Sequence, residues 1–109
     1  MGGGYPARRG TLFGMTMAEL RQRREEILAI ARRRGIFDVR VFGSVARGDA
    51  RPESDVDFLV DAEPGRSLLD IGGFLDEVSE LLDRPVHVVT PGGLSGGFAA
   101  QVRSEATPL

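Results

Sequence analysis

The chain has 109 residues, 41% of them apolar and 28% charged, with a formal net charge of −2 and no cysteine. That is enough for one domain around one small core; it excludes disulfides, thiol catalysis and thiolate metal sites, and gives no overall electrostatic pull toward nucleic acid or anionic membrane. No apolar run approaches the length of a membrane span, so a cytoplasmic protein without direct nucleic-acid binding is expected.

Residues 1–15 read as a disordered tail, or as an upstream start with Met15 or Met17 as the real beginning, and 16–109 read as the domain. Pro6 stands where a myristoylation signal needs Ser or Thr, and no apolar stretch follows Arg8 and Arg9 as a translocation signal would require.

The first predicted helix covers Met17 to Arg34. Thr16 and Glu19 form a capping box that satisfies two orphan backbone N–H groups. Met17, Leu20, Ile27, Leu28 and Ala31 recur at helical spacing. Gly35 stops the helix, and Arg32, Arg33 and Arg34 suit the negative end of its dipole. A first strand follows over Phe37 to Phe42, with β-branched Val39 and Val41 around Arg40, and Gly43-Ser44 breaks it. A short helical turn and a loop, punctuated by Gly48 and Pro52, lead to a second strand over Ser54 to Val60. Asp55, Asp57 and Leu59 point to one face of that strand, and Val56, Phe58 and Val60 to the other.

The second predicted helix spans Leu68 to Leu82, with a capping box at Ser67 and Asp70 and a face of Leu68, Ile71, Leu75, Val78 and Leu82. Gly72 and Gly73 weaken it by about 1 kcal/mol each relative to alanine, which a close approach to another backbone would explain, as would a sequence accident. A third strand over Pro85 to Thr90, a glycine-rich stretch and one helical turn over Phe98 to Val102 complete the chain. The order α-β-β-α-β makes the fold class α/β (α+β), a small mixed sheet packed on helices.

Chemistry concentrates in the middle of the sequence. Carboxylates at i and i+2 on a strand share a face, where their like charges repel unless a cation lies between them. Hard oxygens there suit Mg²⁺, which keeps water and borrows phosphate oxygens. A bare Asp-x-Asp is more often the mark of a solvent-exposed strand face. The segment upstream supplies what the aspartates lack: a strand ending in Gly43-Ser44 and running into a helical start offers free backbone N–H groups and a hydroxyl to an anion. Gly43 lets backbone approach a phosphate without a Cβ in the way, and Arg47 can add charge-assisted hydrogen bonds, although a salt bridge to Asp49 or Glu53 is an alternative use of it.

The run from Val41 to Val60, with Gly43-Ser44, Arg47-Gly48 and Ser54-Asp55-Val56-Asp57 followed by apolar residues, resembles the signature of the DNA polymerase β-like nucleotidyltransferases. It looks most like their minimal nucleotidyltransferase (MNT) subfamily. The resemblance implies a polymerase β palm-like core. It implies that Gly43, Ser44, Arg47 and Gly48 contact the nucleotide, that Ser54 supports the turn, and that Asp55 and Asp57 bind Mg²⁺ or Mn²⁺. The implied reaction is attack on the α-phosphorus of ATP with pyrophosphate leaving. Where the family usually has a third aspartate this sequence has His87, which can serve as a general base but is a poor Mg²⁺ ligand. Proteins of this kind resemble antitoxins that add AMP to a tyrosine of a HEPN-domain toxin, so a HEPN-like partner is expected. A catalytically weak binding module that acts by complex formation is the alternative that His87 leaves open.

Overall fold

The computed structural model describes residues 14–109, so residues 1–13 of the tail expected over 1–15 lie outside the described residues. Gly14 donates its N–H to the Ala50 carbonyl at 3.2 Å and Met15 packs against the core. In chain order the elements are α1 (Met17–Gln22), α2 (Arg24–Arg33), β1 (Ile36–Phe42), α3 (Gly43–Arg47), β2 (Val56–Ala62), α4 (Leu68–Leu82), β3 (Val86–Val89), a short 3-10 turn (Pro91–Gly93), α5 (Gly96–Glu105) and β4 (Thr107–Pro108).

The single helix expected at the start is divided at Arg23, whose backbone leaves helical geometry while its side chain pairs with Glu26 at 2.6 Å. The Thr16–Glu19 capping box forms as its spacing requires. Gly35 adopts φ +69°, the left-handed conformation that ends α2 and turns the chain into β1.

Four strands form one sheet in the order β3-β2-β1-β4, with β1 antiparallel to β2 and β4, and β2 parallel to β3. β1 is not regular: Asp38 takes φ +54° and the register with β2 shifts between Phe37 and Arg40. The bulge adds one residue, so Ile36, Val39 and Val41 all reach the same core although simple alternation would separate Ile36 from Val39. Val56, Phe58 and Val60 of β2 are fully buried in that core, beneath Leu20 of α1, Ile27 of α2 and Phe74 and Val78 of α4. Phe58 and Phe74 meet edge to face with centroids 5.9 Å apart.

Helix α4 has the extent and the capping box its sequence dictates, but Leu68, expected on its apolar face, is 83% exposed. The capped first turn overhangs the core edge. Of its two glycines, Gly72 faces open space, whereas a Cβ on Gly73 would run into the Arg34 guanidinium. The close neighbour is therefore a side chain rather than another backbone.

The C-terminal region departs furthest from expectation. The single turn expected at Phe98–Val102 is a ten-residue helix, α5, followed by a strand, β4, that pairs with β1. Val102 packs with Phe42 and Leu59 in a second small core on the opposite face of the sheet. Leu59 is consequently buried despite sharing its strand face with Asp57.

Candidate functional site

The site lies where β1 ends. The β1–β2 register sets Phe42 opposite Asp57, and the next residue, Gly43, turns the chain into α3 with φ +76°. A Cβ on Gly43 would collide with Asp57 Oδ2, so glycine is required both by the backbone angle and by the carboxylate packed over it. Gly43, Ser44, Arg47 and Asp57 line one cavity of about 250 Å³, closed from the other side by Phe98 and Glu105 of α5.

Asp57 is partly withdrawn from solvent, its side chain 21% exposed. Burial pushes its pKa above the usual value; the nearby His87 opposes that shift and the like charge of Asp55 adds to it. Asp55 precedes β2 and is exposed. Ser54 builds the turn before it, its hydroxyl accepting the Arg51 N–H at 2.9 Å. His87 sits beside Asp57 in the parallel β2–β3 register, with Nδ1 3.5 Å from Asp57 Oδ1 and its own side chain 57% exposed. Gly48 caps α3 in the left-handed conformation. Ser54, Asp55, Gly48 and His87 thus surround the site without lining its cavity, whereas Gly43, Ser44, Arg47 and Asp57 converge on it.

Sequence reasoning missed Glu105. Its carboxylate accepts the Gly43 N–H at 3.1 Å and pairs with Arg47 at 2.9 Å. Arg47 also reaches Asp49 at 3.3 Å; the pairing with Glu53 that its sequence position allowed does not form among the described contacts. The Arg47 guanidinium holds the Glu105 pKa below its usual value, with burial opposing and Gln101 and the Gly43 N–H assisting. A faint signal existed in the sequence: Ala99, Val102 and Ala106 recur at helical spacing, and Gln101 and Glu105 stand one turn apart, but the preceding glycines read as a breaker.

Among the described residues no group of three His, Cys, Asp or Glu side chains converges as a metal site. The available donors are the Asp55 and Asp57 carboxylates. Their hard oxygens fit a divalent ion that takes its remaining ligands from phosphate and water, and the repulsion Asp55 exerts on Asp57 is what such an ion would relieve.

The mixed sheet on helices thus sets a glycine-serine turn against a strand aspartate. The chain belongs to the nucleotidyltransferase domain family, whose pattern matches residues 24–108. A solved minimal nucleotidyltransferase superposes with a TM-score of 0.77 at 46% identity, over 87% of this chain and 97% of that one. The protein adenylyltransferase MntA of Thermococcus cleftensis is 39% identical over 71 residues, 65% of this chain and 72% of that protein. A tri-AMPylated Shewanella oneidensis HEPN toxin in complex with its MNT antitoxin includes a chain of the same fold, with a TM-score of 0.61 at 18% identity over 81% of this chain and 69% of that one.

Proposed function

We propose that the chain transfers AMP from ATP to a hydroxyl of a partner protein, a tyrosine of a HEPN-domain toxin, and thereby acts as the antitoxin of the pair. The observation that carries this reading is the packing of the Gly43 backbone against the Asp57 carboxylate, which sets a turn suited to phosphate beside an oxygen suited to a divalent ion. The adenylyltransferase name of the Thermococcus relative and the AMP-modified toxin in the Shewanella complex support the substrate and the partner.

In this reading the Gly43 and Ser44 backbone N–H groups and the Ser44 hydroxyl hold the terminal phosphates, and Arg47 adds a charge-assisted contact. Asp55 and Asp57 hold Mg²⁺ or Mn²⁺, which when bound neutralises charge on the phosphates. The acceptor oxygen attacks the α-phosphorus, the bond to the bridging oxygen breaks, and pyrophosphate leaves. His87, exposed at the edge of the site, takes the proton from the acceptor in this reading.

The His87–Asp57 pairing also favours a second reading. With an imidazole in place of a third carboxylate, the chain holds its partner and ATP but transfers AMP slowly or not at all. Co-expression with a HEPN-domain toxin, ATP and Mg²⁺, read by intact-protein mass, separates the two. Addition of AMP to the toxin, lost in Asp57→Ala, supports transfer. A stable complex with unmodified toxin puts the binding module first.

A further inference from the structure

Glu105 occupies the ground on which the proposed phosphate contacts stand. One carboxylate oxygen takes the Gly43 N–H at 3.1 Å and the other the Arg47 guanidinium at 2.9 Å, and Gln101 donates to the second at 3.4 Å. Only 16% of the Glu105 side chain is exposed. Two of the donors proposed to receive a triphosphate, the Gly43 N–H and the Arg47 guanidinium, are therefore already paired with an anion from the same chain. A phosphate brought to them would meet the Glu105 charge at contact distance, where repulsion in a half-buried site is strong.

The main chain around Glu105 cannot simply leave. Ala99 and Val102 anchor α5 on the sheet at 5% and 1% exposure. Beyond Glu105, Thr107 pairs with Val41, Leu109 donates its N–H to Val39 at 3.1 Å, and Arg24 and Arg21 donate to the Leu109 and Pro108 carbonyls at 3.1 and 2.9 Å. What can move is the side chain, by rotating away from Gly43 and Arg47 while the helix stays in place.

We infer that Glu105 is an internal competitor of the nucleoside triphosphate, covering the phosphate donors and setting the affinity of the site. The inference rests on the nucleotide-site reading above. It gives Gly43 and Arg47 two alternating anionic partners, the Glu105 carboxylate and the phosphate chain. A Glu105 that served only to brace α5 would leave nucleotide affinity unchanged or weaken it when removed.

The test is the dissociation constant for Mg·ATP and for inorganic triphosphate, measured by calorimetry on the full chain. Wild type, Glu105→Gln, Glu105→Ala and Asp57→Ala are compared, each first shown to be folded by circular dichroism. Glu105→Gln keeps the shape and an acceptor for the Gly43 N–H while removing the charge, and Glu105→Ala removes both. Both probes are expected to bind Glu105→Gln about tenfold more tightly than wild type, with Glu105→Ala shifted in the same direction. Equal or weaker binding by both variants, with wild type binding normally, overturns the inference and leaves the nucleotide site intact. Absence of binding in wild type and in both Glu105 variants overturns the site reading itself, and the inference with it.

Discussion

His87 Nδ1 lies 3.5 Å from Asp57 Oδ1, on adjacent parallel strands in direct register. The imidazole therefore stands against the Asp57 carboxylate from the neighbouring strand β3. His87→Asp places a second carboxylate there. It is expected to raise the rate of AMP transfer in Mg²⁺ by tenfold or more, as another hard ligand joins the site, and to lower the melting temperature of the metal-free protein through like-charge repulsion. An unchanged rate with Mg²⁺ would mean that His87 stands outside the chemistry.

Asp57 is itself a source of instability. Its folded pKa is raised above its ordinary value of 3.8, chiefly by burial, so between those two values the folded state binds more protons than the unfolded one. Stability falls as pH rises through that window and stays reduced above it. Asp57→Asn is therefore expected to raise the metal-free melting temperature by a few degrees at pH 7, with the gain vanishing below the ordinary pKa, while transfer is abolished. Thermal melts at both pH values check the sign, and a loss of stability at pH 7 would contradict it.

Gly43→Ala faces two obstacles, a backbone at φ +76° and a Cβ directed into Asp57 Oδ2. A cost of about 1–3 kcal/mol is expected, with ATP binding lost because Asp57 must move. Gly48→Ala shares the left-handed backbone, at φ +87°, but meets no atom nearby. It is expected to cost stability while preserving binding. Denaturant titration and calorimetry on the pair separate strain from collision.

The glycines of α4 make a matched comparison. Gly72→Ala adds a methyl in open space on a regular helix and is expected to stabilise by about 0.5–1 kcal/mol. Gly73→Ala drives its methyl into Arg34, whose guanidinium pairs with Glu77 at 2.8 Å, and is expected to gain nothing. Equal gains in urea unfolding would show that Arg34 yields without loss.

Most of the fold was legible because its signals are local. Ser67 and Asp70 fix the start of α4 by hydrogen bonds within one turn, and the alternation from Val56 to Val60 is a property of the strand itself. The Gly43-Ser44 turn and Asp57 could be paired in advance because β1 and β2 are neighbours in both sequence and sheet. Glu105 and β4 could not: Glu105 meets Gly43 across 62 residues, and β4 is a strand of two residues, one of them proline, defined by its pairing with β1. The bulge at Asp38 was hidden for a related reason, since its left-handed angle is imposed by the need to keep Ile36 and Val39 in one core.

The proposed function needs Gly43, Ser44, Asp55 and Asp57 to act as one metal-dependent ATP site. The most direct measurement is an NMR titration of the backbone amides with ATP, with and without Mg²⁺, on wild type and Asp57→Ala. Metal-dependent shifts concentrated at these four residues, and lost in Asp57→Ala, are expected. Shifts that are absent, or that persist unchanged in Asp57→Ala, would contradict it.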